Sequence, residues 1–266
     1  MPRSSEAAWR PRLVALDVDG TIVDRDGVLP PAMGETIAAV VGAGVPVILS
    51  TGRSWHGTVD LVEQLGLPPG PSVCSNGAVI VTYPPQEIVK AITFDPRHVI
   101  ERVQEFAPGT LIAVEEIGIG YRLNDHFPGG DLTGEMIIED LEQLSARPVT
   151  RVILRDPTRS DSDFISLARH LGLHGVTYFV GWSAWLDIAP EGVNKATALA
   201  EVAEGLGVSA ADVLAFGDGR NDIEMLRWAG RGLAIGDAPD EVKAVADDVA
   251  ARFIDGGPIA ELRRYF

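Results

Sequence analysis

Short apolar runs alternate with helix-like patterns over the first third of the chain. The runs Leu13–Val18, Val45–Leu49 and Ser72–Ser75 contain one charged residue between them, which is typical of strands buried on both faces of a sheet. Residues 31–43 and 55–65 lie between these runs and place apolar side chains three or four positions apart, which predicts helices. The pattern therefore predicts three strands separated by two helices.

The same alternation returns in the last third of the chain. A helix is predicted from Asn194 to Leu206, because Asn194 is a good N-cap residue. Strands are predicted at Val213–Phe216 and Leu233–Ile235, and helices at Asp222–Ala229 and Pro239–Ala246. Strands that alternate with helices favour a parallel, doubly wound sheet, so the two ends of the chain are predicted to build one α/β core.

The middle of the chain has a less regular pattern. It begins after Tyr83, where Pro84 and Pro85 interrupt the alternation. The apolar positions beyond them predict strands at Ile88–Phe94, Ile117–Leu123, Thr150–Leu154 and Val176–Val180, and helices at Pro96–Phe106, Thr133–Leu144 and Asp161–Leu171. A segment of about 100 residues with its own helices and strands is long enough for a small α+β domain.

The simplest architecture is a Rossmann-like, doubly wound parallel core into which a second domain is inserted. We predict a disordered tail at residues 1–11. The core would be formed by residues 12–82 together with residues 188–266, and residues 83–187 would form an inserted α+β cap domain.

The charge of the chain limits its partners. The 266 residues carry 22 basic and 38 acidic side chains, a formal net charge of −16 at pH 7. Such a chain repels nucleic acid and anionic membrane surfaces at long range, so neither is expected as a partner. It also repels phosphorylated substrates, so a phosphate site would need local positive charge to overcome the overall field.

The single cysteine, Cys74, lies in an apolar run and is expected to be a buried structural thiol. One cysteine cannot form a disulfide within the chain, which favours a reducing, cytoplasmic location. No apolar stretch approaches the about 20 residues of a membrane span, and residues 1–12 lack the apolar centre of a signal peptide. Either a monomer or a homodimer is compatible with the sequence.

Four polar segments follow the predicted core strands or open the helix after them. Ligands of open parallel sheets bind beyond the carboxyl ends of the strands, and all four segments converge at that edge. They are Asp17-Val18-Asp19-Gly20-Thr21, Ser50-Thr51-Gly52-Arg53, Asn194-Lys195 and Asp218-Gly219-Arg220-Asn221-Asp222. One site could therefore collect several carboxylates, a hydroxyl group, an amide and a lysine.

This combination of side chains indicates phosphoryl transfer. Three or four carboxylates at one point raise one another's pKa unless a cation neutralises them. Oxygen ligands favour Mg²⁺ or Ca²⁺, and Mg²⁺ typically takes one or two carboxylates plus substrate phosphate. Lys195 adds a compact positive charge for phosphate oxygens, Thr51 adds a hydroxyl donor, and an aspartate can serve as nucleophile.

With these motifs the chain resembles the haloacid dehalogenase superfamily of phosphohydrolases. Within it, the chain is similar to the Cof-type branch, which carries a large cap between the second and third motifs. The resemblance covers nearly the whole chain after residue 12, and it includes Ser75-Asn76-Gly77-Ala78 and the segment from Ile188 to Lys195. In that segment, Asn194 stands where serine or aspartate is commoner. The resemblance implies a Mg²⁺-dependent phosphatase whose cap closes over the site and selects a small phosphorylated metabolite.

The resemblance also implies a role for each motif residue. Asp17 would attack phosphorus and form an aspartyl-phosphate, and Asp19 would protonate the leaving group and then accept a proton from water. Asp222 would orient Lys195 or a metal-bound water. Mg²⁺ would be held by Asp17, the backbone carbonyl of Asp19, Asp218 and Asn221, and the phosphate would be bound by Thr51, Gly52, Arg53, Lys195 and Asn221.

Other interpretations of the same motifs are weaker. A calcium loop of the EF-hand type would need Asp or Asn at its fifth position and Gly at its sixth, where Thr21 and Ile22 stand. A dinucleotide-binding loop after Gly217 would need a third glycine where Asp222 stands. The sequence contains no Gly-x-x-x-x-Gly-Lys loop, so a P-loop nucleotidase is also unsupported.

Several points stay open at the level of sequence. A sugar phosphomutase shares the aspartyl-phosphate chemistry, and a catalytically silent, ligand-sensing regulatory protein could keep the fold. Arg53 could contact substrate or pair with a carboxylate. Arg122 and Arg155 are expected on the solvated surface of the cap, and Trp182 and Trp185 are expected to pack at the return to the core rather than to line a sugar pocket.

Overall fold

Three sheets and eight helices make up the described part of the molecule. The computed structural model describes residues 9–24, 26–158, 160, 175–180 and 185–266. The strands are β1 (Leu13–Leu16), β2 (Val47–Leu49), β3 (Gly70–Cys74), β4 (Val79–Tyr83), β5 (Glu87–Ala91), β6 (Leu111–Glu116), β7 (Gly120–Leu123), β8 (Glu135–Ile138), β9 (Val152–Arg155), β10 (Val176–Val180), β11 (Trp185–Pro190), β12 (Val213–Gly217), β13 (Arg231–Ala234) and β14 (Asp248–Val249). The helices are α1 (Pro31–Gly42), α2 (Val59–Gln64), α3 (Arg97–Phe106), α4 (Leu141–Ser145), α5 (Lys195–Gly205), α6 (Ile223–Trp228), α7 (Asp240–Lys243) and α8 (Gly257–Leu262).

The central sheet is parallel and has the order β14-β13-β12-β1-β2. Strand β1 lies between β12 and β2, with Leu16 opposite both Phe216 and Leu49. Every side chain of β1 is apolar and fully buried, because helices cover both faces of a doubly wound sheet. The parallel α/β core predicted from the apolar runs is confirmed.

Two apolar clusters fill the space between this sheet and its helices. Val14 and Leu16 point to one face and pack in the cluster that includes residues of α1 and α8. Leu13 and Ala15 point to the other face and pack with residues of α5, α6 and α7. The alternation along β1 follows from the two-residue period of a strand. Along the described ranges, no helix is both long enough and apolar enough to span a membrane.

The middle of the chain forms the other two sheets. Strands β3, β4 and β5 form an antiparallel sheet that begins with a hairpin. The six-stranded sheet has the order β10-β11-β9-β6-β7-β8 and is antiparallel except for the pair β7 and β8. Val103 of α3 and Leu144 of α4 pack on one of its faces against Leu154. Tyr121 lies in a separate cluster that also includes Ile153.

The division into tail, core and cap stays a prediction. The six-stranded sheet lies within the segment predicted as the cap, except that β11 continues beyond residue 187. Of the predicted tail, residues 9–11 are described. The indole of Trp9 donates to the carbonyl oxygen of Ala211 at 3.0 Å and meets the ring of Tyr265 edge-on. Residues 1–8, the helix predicted at Asp161–Leu171 and Trp182 lie outside the described residues.

One predicted helix of the middle segment is wrong. Thr133–Leu144 contains strand β8 and the start of α4. A Cβ atom at Gly134 would lie 2.5 Å from the carbonyl oxygen of Ile119, so the chain approaches β7 too closely there for any other residue. Pairing of β8 with β7 therefore overrides the helical spacing of the apolar residues, because strand formation depends strongly on tertiary context.

Two arginines expected on the solvated surface of the cap are largely withdrawn from solvent instead. The side chain of Arg122 is 2% exposed and forms ion pairs with Glu116 at 3.4 Å and Glu139 at 3.0 Å. The side chain of Arg155 is 12% exposed and donates to Asp131 at 2.9 Å. Both lie in strands of the six-stranded sheet, and a buried guanidinium group requires such partners.

Candidate active site

The ends of β1 and β12 place two predicted site residues side by side. Asp17 follows β1 directly, and its amide donates to the carbonyl oxygen of Phe216 in β12 at 3.0 Å. Asp218 follows β12 directly. The two residues are 5% and 7% exposed, so both carboxylates are withdrawn from solvent. The parallel register of adjacent strands therefore brings Asp17 and Asp218 together at the carboxyl edge of the sheet.

Lys195 is the positive charge at the centre of this edge. It is fully buried, and its Nζ donates to Asp17 Oδ1 and Asp222 Oδ1, each at 2.6 Å. Burial alone would lower the pKa of Lys195, but the charges of Asp17 and Asp222 outweigh burial and raise it. Asn194 caps the helix start by accepting from the amide of Thr197 at 3.0 Å, as predicted, which fixes the first residue of α5.

Asp222 is fully committed to contacts within the protein. One carboxylate oxygen accepts from Lys195, and the other accepts from the amides of Asp218 at 3.0 Å and Gly219 at 2.8 Å. A Cβ atom at Gly217 would lie 2.5 Å from the side chain of Asp222, so the close approach requires glycine there. Asp222 therefore holds both the lysine and the loop that carries Asp218.

The site holds more negative charge than Lys195 neutralises. Asp17, Asp218 and Asp222 each place a carboxylate oxygen within 4.8 Å of the others. Burial, together with the charge of Asp222, raises the pKa of Asp17 to about 7, although Lys195 opposes the shift. Burial and the charges of Asp17 and Asp222 raise the pKa of Asp218 to about 9. A divalent cation with oxygen ligands fits this charge excess, with Asp17 and Asp218 as its carboxylates, because Asp222 is already committed.

Gly20 leaves room for Asp218, and a Gly20→Ala substitution should weaken metal binding. Its φ angle is +82°, and a Cβ atom there would lie 2.4 Å from Asp218 Oδ2. We expect the displaced carboxylate to lower the affinity for a divalent cation about tenfold or more, measured by titration calorimetry with Mg²⁺ as the probe.

Gly44→Ala is the matched control for this substitution. Gly44 has a φ angle of +78°, but no atom lies within 4 Å of the added Cβ position. It should reproduce the backbone strain, about 1–2 kcal/mol of unfolding free energy, and leave Mg²⁺ affinity unchanged. Equal metal affinity in both variants and the wild type would show that the close approach of Gly20 to Asp218 is unimportant.

Asp19 lies at the rim of the site and pairs with Arg53. The Arg53 Nε donates to one oxygen of Asp19 at 2.9 Å and a terminal nitrogen donates to the other at 2.6 Å. The side chain of Asp19 is 56% exposed, whereas that of Arg53 is 27% exposed. Of the two possibilities left open for Arg53, the structure shows the ion pair, and the guanidinium also lines the cavity described next.

A cavity of about 640 Å³ opens above these residues. Asp17, Asp19, Gly52, Arg53, Asp218 and Asn221 line it among the predicted site residues. Thr51 is fully buried beneath this lining, and its hydroxyl oxygen accepts from the amide of Arg53 at 3.0 Å. The structure therefore brings together the predicted carboxylates, lysine, arginine and amide, with Thr51 supporting the loop of Gly52 and Arg53.

The motif analysis missed the residues that the six-stranded sheet contributes to the cavity. Arg151 and Asp187 line the cavity. Arg151 donates to the carbonyl oxygen of Gly52 and forms an ion pair with Glu115 at 3.1 Å. The side chains of Arg151 and Asp187 are buried. Asp187 lies within β11, and Arg151 directly precedes β9. A lone charge inside an apolar strand pattern was the available signal, because such a group is stable only with a buried partner.

Trp185 also lines the cavity, contrary to the expectation that it packs at the return to the core. Its ring meets that of Phe127 edge-on, with centroids 6.3 Å apart. The indole is half-buried, so part of it faces the cavity. The sequence pattern could not show this, because Phe127 and Trp185 are far apart along the chain.

Comparison with known proteins supports the same fold and identifies the family. The family described as haloacid dehalogenase-like hydrolase matches residues 14–261. The 5-amino-6-(5-phospho-D-ribitylamino)uracil phosphatase of Bacillus subtilis is 28% identical over 97% of this chain and 98% of its own. The pyridoxal phosphate phosphatase of Escherichia coli is 29% identical over 90% of this chain and 92% of its own.

A solved structure shows the same fold. It is that of a haloacid dehalogenase-like hydrolase from Bacteroides thetaiotaomicron, with a TM-score of 0.81 and 24% identity, covering 97% of this chain and 100% of its own. The family match spans the sequence from β1 to α8, which includes every predicted site residue. The chain therefore belongs to the haloacid dehalogenase-like hydrolases and is an enzyme of that family.

Proposed function

We propose that this hydrolase is a magnesium-dependent phosphatase that acts on small phosphate monoesters through an aspartyl-phosphate on Asp17. The observation that carries the proposal is the buried contact of Lys195 with Asp17 and Asp222, at 2.6 Å each, beside Asp218. Phosphoryl transfer uses a fixed cation, a carboxylate nucleophile and a metal site. The two curated relatives, both phosphatases of small phosphorylated metabolites by name, support the same reaction class.

The reaction would proceed in two half-reactions. An oxygen of Asp17 would form a bond to phosphorus while the bond to the ester oxygen breaks, and Asp19 would give a proton to that leaving oxygen. Asp19 would then take a proton from a water molecule while the water oxygen forms a bond to phosphorus and the bond between phosphorus and Asp17 breaks. Inorganic phosphate would leave and Asp17 would return to the free carboxylate, so each residue ends in its starting state.

The other site residues would bind and orient the phosphoryl group. Lys195 stays protonated because the charges of Asp17 and Asp222 raise its pKa, and it holds one oxygen of Asp17 at 2.6 Å. Mg²⁺ bound by Asp17, the backbone carbonyl of Asp19, Asp218 and Asn221 would supply further positive charge to the phosphate oxygens. Gly52 would contribute its backbone amide and Thr51 its hydroxyl group.

Arg53 would change partner during the reaction. In this structure it holds both oxygens of Asp19, which are the oxygens that must reach the leaving group. Binding of a phosphate ester would offer Arg53 a new anionic partner, since guanidinium groups bind phosphate well. Once released from Arg53, Asp19 would take up a proton from solvent and turn toward the ester oxygen, ready to protonate it.

The test is a panel of phosphate monoesters incubated with the purified protein and Mg²⁺. The proposal expects release of inorganic phosphate from at least one ester. Formation of an isomeric phosphate ester without phosphate release would favour a sugar phosphomutase. Specific binding of an ester with no turnover would favour a ligand-sensing protein, and either result would overturn the phosphatase proposal.

Removal of the metal should abolish this activity. We expect excess EDTA to stop phosphate release and added Mg²⁺ to restore it. Ca²⁺ should restore it poorly, because its larger and more flexible coordination lets Asp17 bind through both oxygens and occupies the attacking atom. Phosphate release is measured with each metal in turn, and full activity in EDTA would contradict the metal requirement.

A further inference from the structure

We infer that the cavity selects a phosphate ester whose leaving group is planar and carries no negative charge. This inference rests on the proposed phosphatase function, and it concerns the part of the cavity wall that lies beyond the phosphate site. Two independent features support it: fixed aromatic rings and a set of arginines that are already neutralised. The relevant residues come largely from the six-stranded sheet, where no sequence motif was recognised.

The aromatic feature is formed by Trp185 and Tyr121. The ring of Trp185 is held edge-on by Phe127, and the hydroxyl group of Tyr121 accepts from Arg151. Both rings line the cavity together with Leu132. Aromatic side chains that are fixed by neighbours bind flat apolar groups with little loss of conformational freedom. This part of the wall therefore favours a planar leaving group over an extended polar one.

The arginines of the described cavity wall are each matched by carboxylates. Arg53 is bound by Asp19 in this structure and would be occupied by the substrate's own phosphate during the reaction, and Arg220 donates to Glu241. A second anionic group on the substrate would have to displace one of these carboxylates. Among the residues that the structure describes, the cavity wall therefore offers a second anionic group no unpaired arginine.

The carboxylates around Arg151 outnumber its single positive charge. Its guanidinium group lies 3.1 Å from Glu115 and 3.6 Å from Asp187, so two carboxylates face one cation. Asp26 also lines the cavity, is exposed, and has no ion pair with another described residue. A leaving group with a carboxylate or second phosphate would meet this surplus, whereas a neutral or cationic group would not.

Non-hydrolysable phosphonates test the inference separately from turnover. We would measure the dissociation constants of benzylphosphonate, ethylphosphonate and (4-carboxybenzyl)phosphonate by calorimetry on the Mg²⁺-loaded protein. Benzylphosphonate should bind about tenfold more tightly than ethylphosphonate, and about tenfold more tightly than the carboxylated analogue. Equal or tighter binding of the carboxylated analogue, or no binding of any phosphonate, overturns the inference. Failure of the phosphatase proposal would instead appear as absent phosphate release from the matching esters.

Variants of the wall assign the effect to its residues. Trp185→Leu should bring the affinity ratio of benzylphosphonate to ethylphosphonate close to one, and Trp185→Phe should keep most of it. Trp9→Leu, at a tryptophan that packs on Tyr265 outside the cavity, should leave the ratio unchanged. Asp26→Lys should improve relative binding of the carboxylated analogue about threefold. Asp60→Lys on α2 should not improve binding of the carboxylated analogue. An unchanged affinity ratio of benzylphosphonate to ethylphosphonate in Trp185→Leu would contradict the role of the aromatic rings.

A different observation carries a second inference. We propose that Asp187 and Asn76 determine which end of the Asn221 amide faces the metal site. Asn76 donates through Nδ2 to Asp187 Oδ2 at 3.1 Å and accepts through Oδ1 from Asn221 Nδ2 at 2.9 Å. A carboxylate can only accept, so Asn76 must turn its NH₂ group to Asp187 and its oxygen to Asn221. Asn221 must then use its NH₂ group for Asn76, which leaves its carbonyl oxygen for the metal.

This chain of amides is held rigidly. Asn76 is 1% exposed and has a φ angle of 54°, a left-handed conformation that asparagine tolerates better than most residues. The amides of Asn76 and Asn221 lie against Gly52, where a Cβ atom would approach Asn76 Oδ1 to 3.1 Å. Asp187 belongs to the six-stranded sheet, so a residue of that sheet would act as a positioning residue for a metal ligand of the core.

Exchange of the two side chains tests this second inference. Asp187→Asn allows either amide orientation, so the Mg²⁺ affinity should fall about tenfold in calorimetry. The double variant Asp187→Asn with Asn76→Asp restores a carboxylate that accepts from both neighbours, and should recover most of the affinity. Unfolding free energy is measured in parallel to separate positioning from general destabilisation. Wild-type affinity in the single variant, or no recovery in the double variant, overturns the inference.

Discussion

An Asp17→Asn variant should release phosphate about a thousandfold or more slowly than the wild type, without loss of folding stability. The amide keeps the shape of the side chain but cannot attack phosphorus. Loss of the nucleophile should cost at least as much as loss of a typical acid–base group, which contributes about 10²–10⁴-fold. The rate is measured with the best ester of the panel, at saturating Mg²⁺.

Retention of stability is the second part of this expectation. Burial and the charge of Asp222 raise the pKa of Asp17 from 3.8 to about 7, so the folded site disfavours its ionised form in the absence of metal. A neutral amide removes that penalty, and urea unfolding in EDTA should give an unfolding free energy no lower than that of the wild type. Asp60→Asn, at an exposed position of α2 outside the cavity lining, is the matched control and should retain wild-type phosphate release. Unchanged turnover in Asp17→Asn would show that another group is the nucleophile.

The parts of the site that sequence predicted are those fixed by local order along the chain. Asp17 and Asp218 follow apolar strands directly, so their meeting at one edge depends only on the parallel pairing of β1 and β12. Lys195 follows a capping residue at a helix start, and its position depends on a similar local signal. These residues could be assigned to one site before their distances were known.

The remaining parts depend on contacts between distant segments. Arg151 meets Gly52 only because the six-stranded sheet lies beside the loop of Gly52 and Arg53, and no local pattern encodes that arrangement. Strand β8 was mistaken for part of a helix because its apolar residues fit both periods, and only its pairing with β7 decides between them. The cavity wall was therefore beyond prediction, whereas the meeting of Asp17 and Asp218 at the carboxyl edge of the central sheet was not.

Loss of Lys195 should destabilise the protein as well as inactivate it. Lys195→Met keeps most of the apolar stem but leaves Asp17 and Asp222 buried without their cation. Breaking a buried ion pair by removal of one partner typically lowers the unfolding free energy by about 3–5 kcal/mol. We expect a loss of this size in urea unfolding at pH 8 in EDTA, and a smaller loss with Mg²⁺, since the metal replaces part of the missing charge.

Two further measurements make this expectation specific: the pH dependence of the unfolding free energy of Lys195→Met, and the same substitution at a surface lysine. Burial raises the pKa of Asp17 and Asp218 in the folded protein, and loss of Lys195 removes a charge that opposes this shift, so the stability of the variant should rise as the pH falls from 8 to 6. Lys90 pairs with Glu201 at the surface, where their side chains are 38% and 48% exposed, so Lys90→Met should lower the unfolding free energy by less than about 1 kcal/mol. A loss in Lys195→Met no larger than that in Lys90→Met would mean that Lys195 does not hold the buried carboxylates in place.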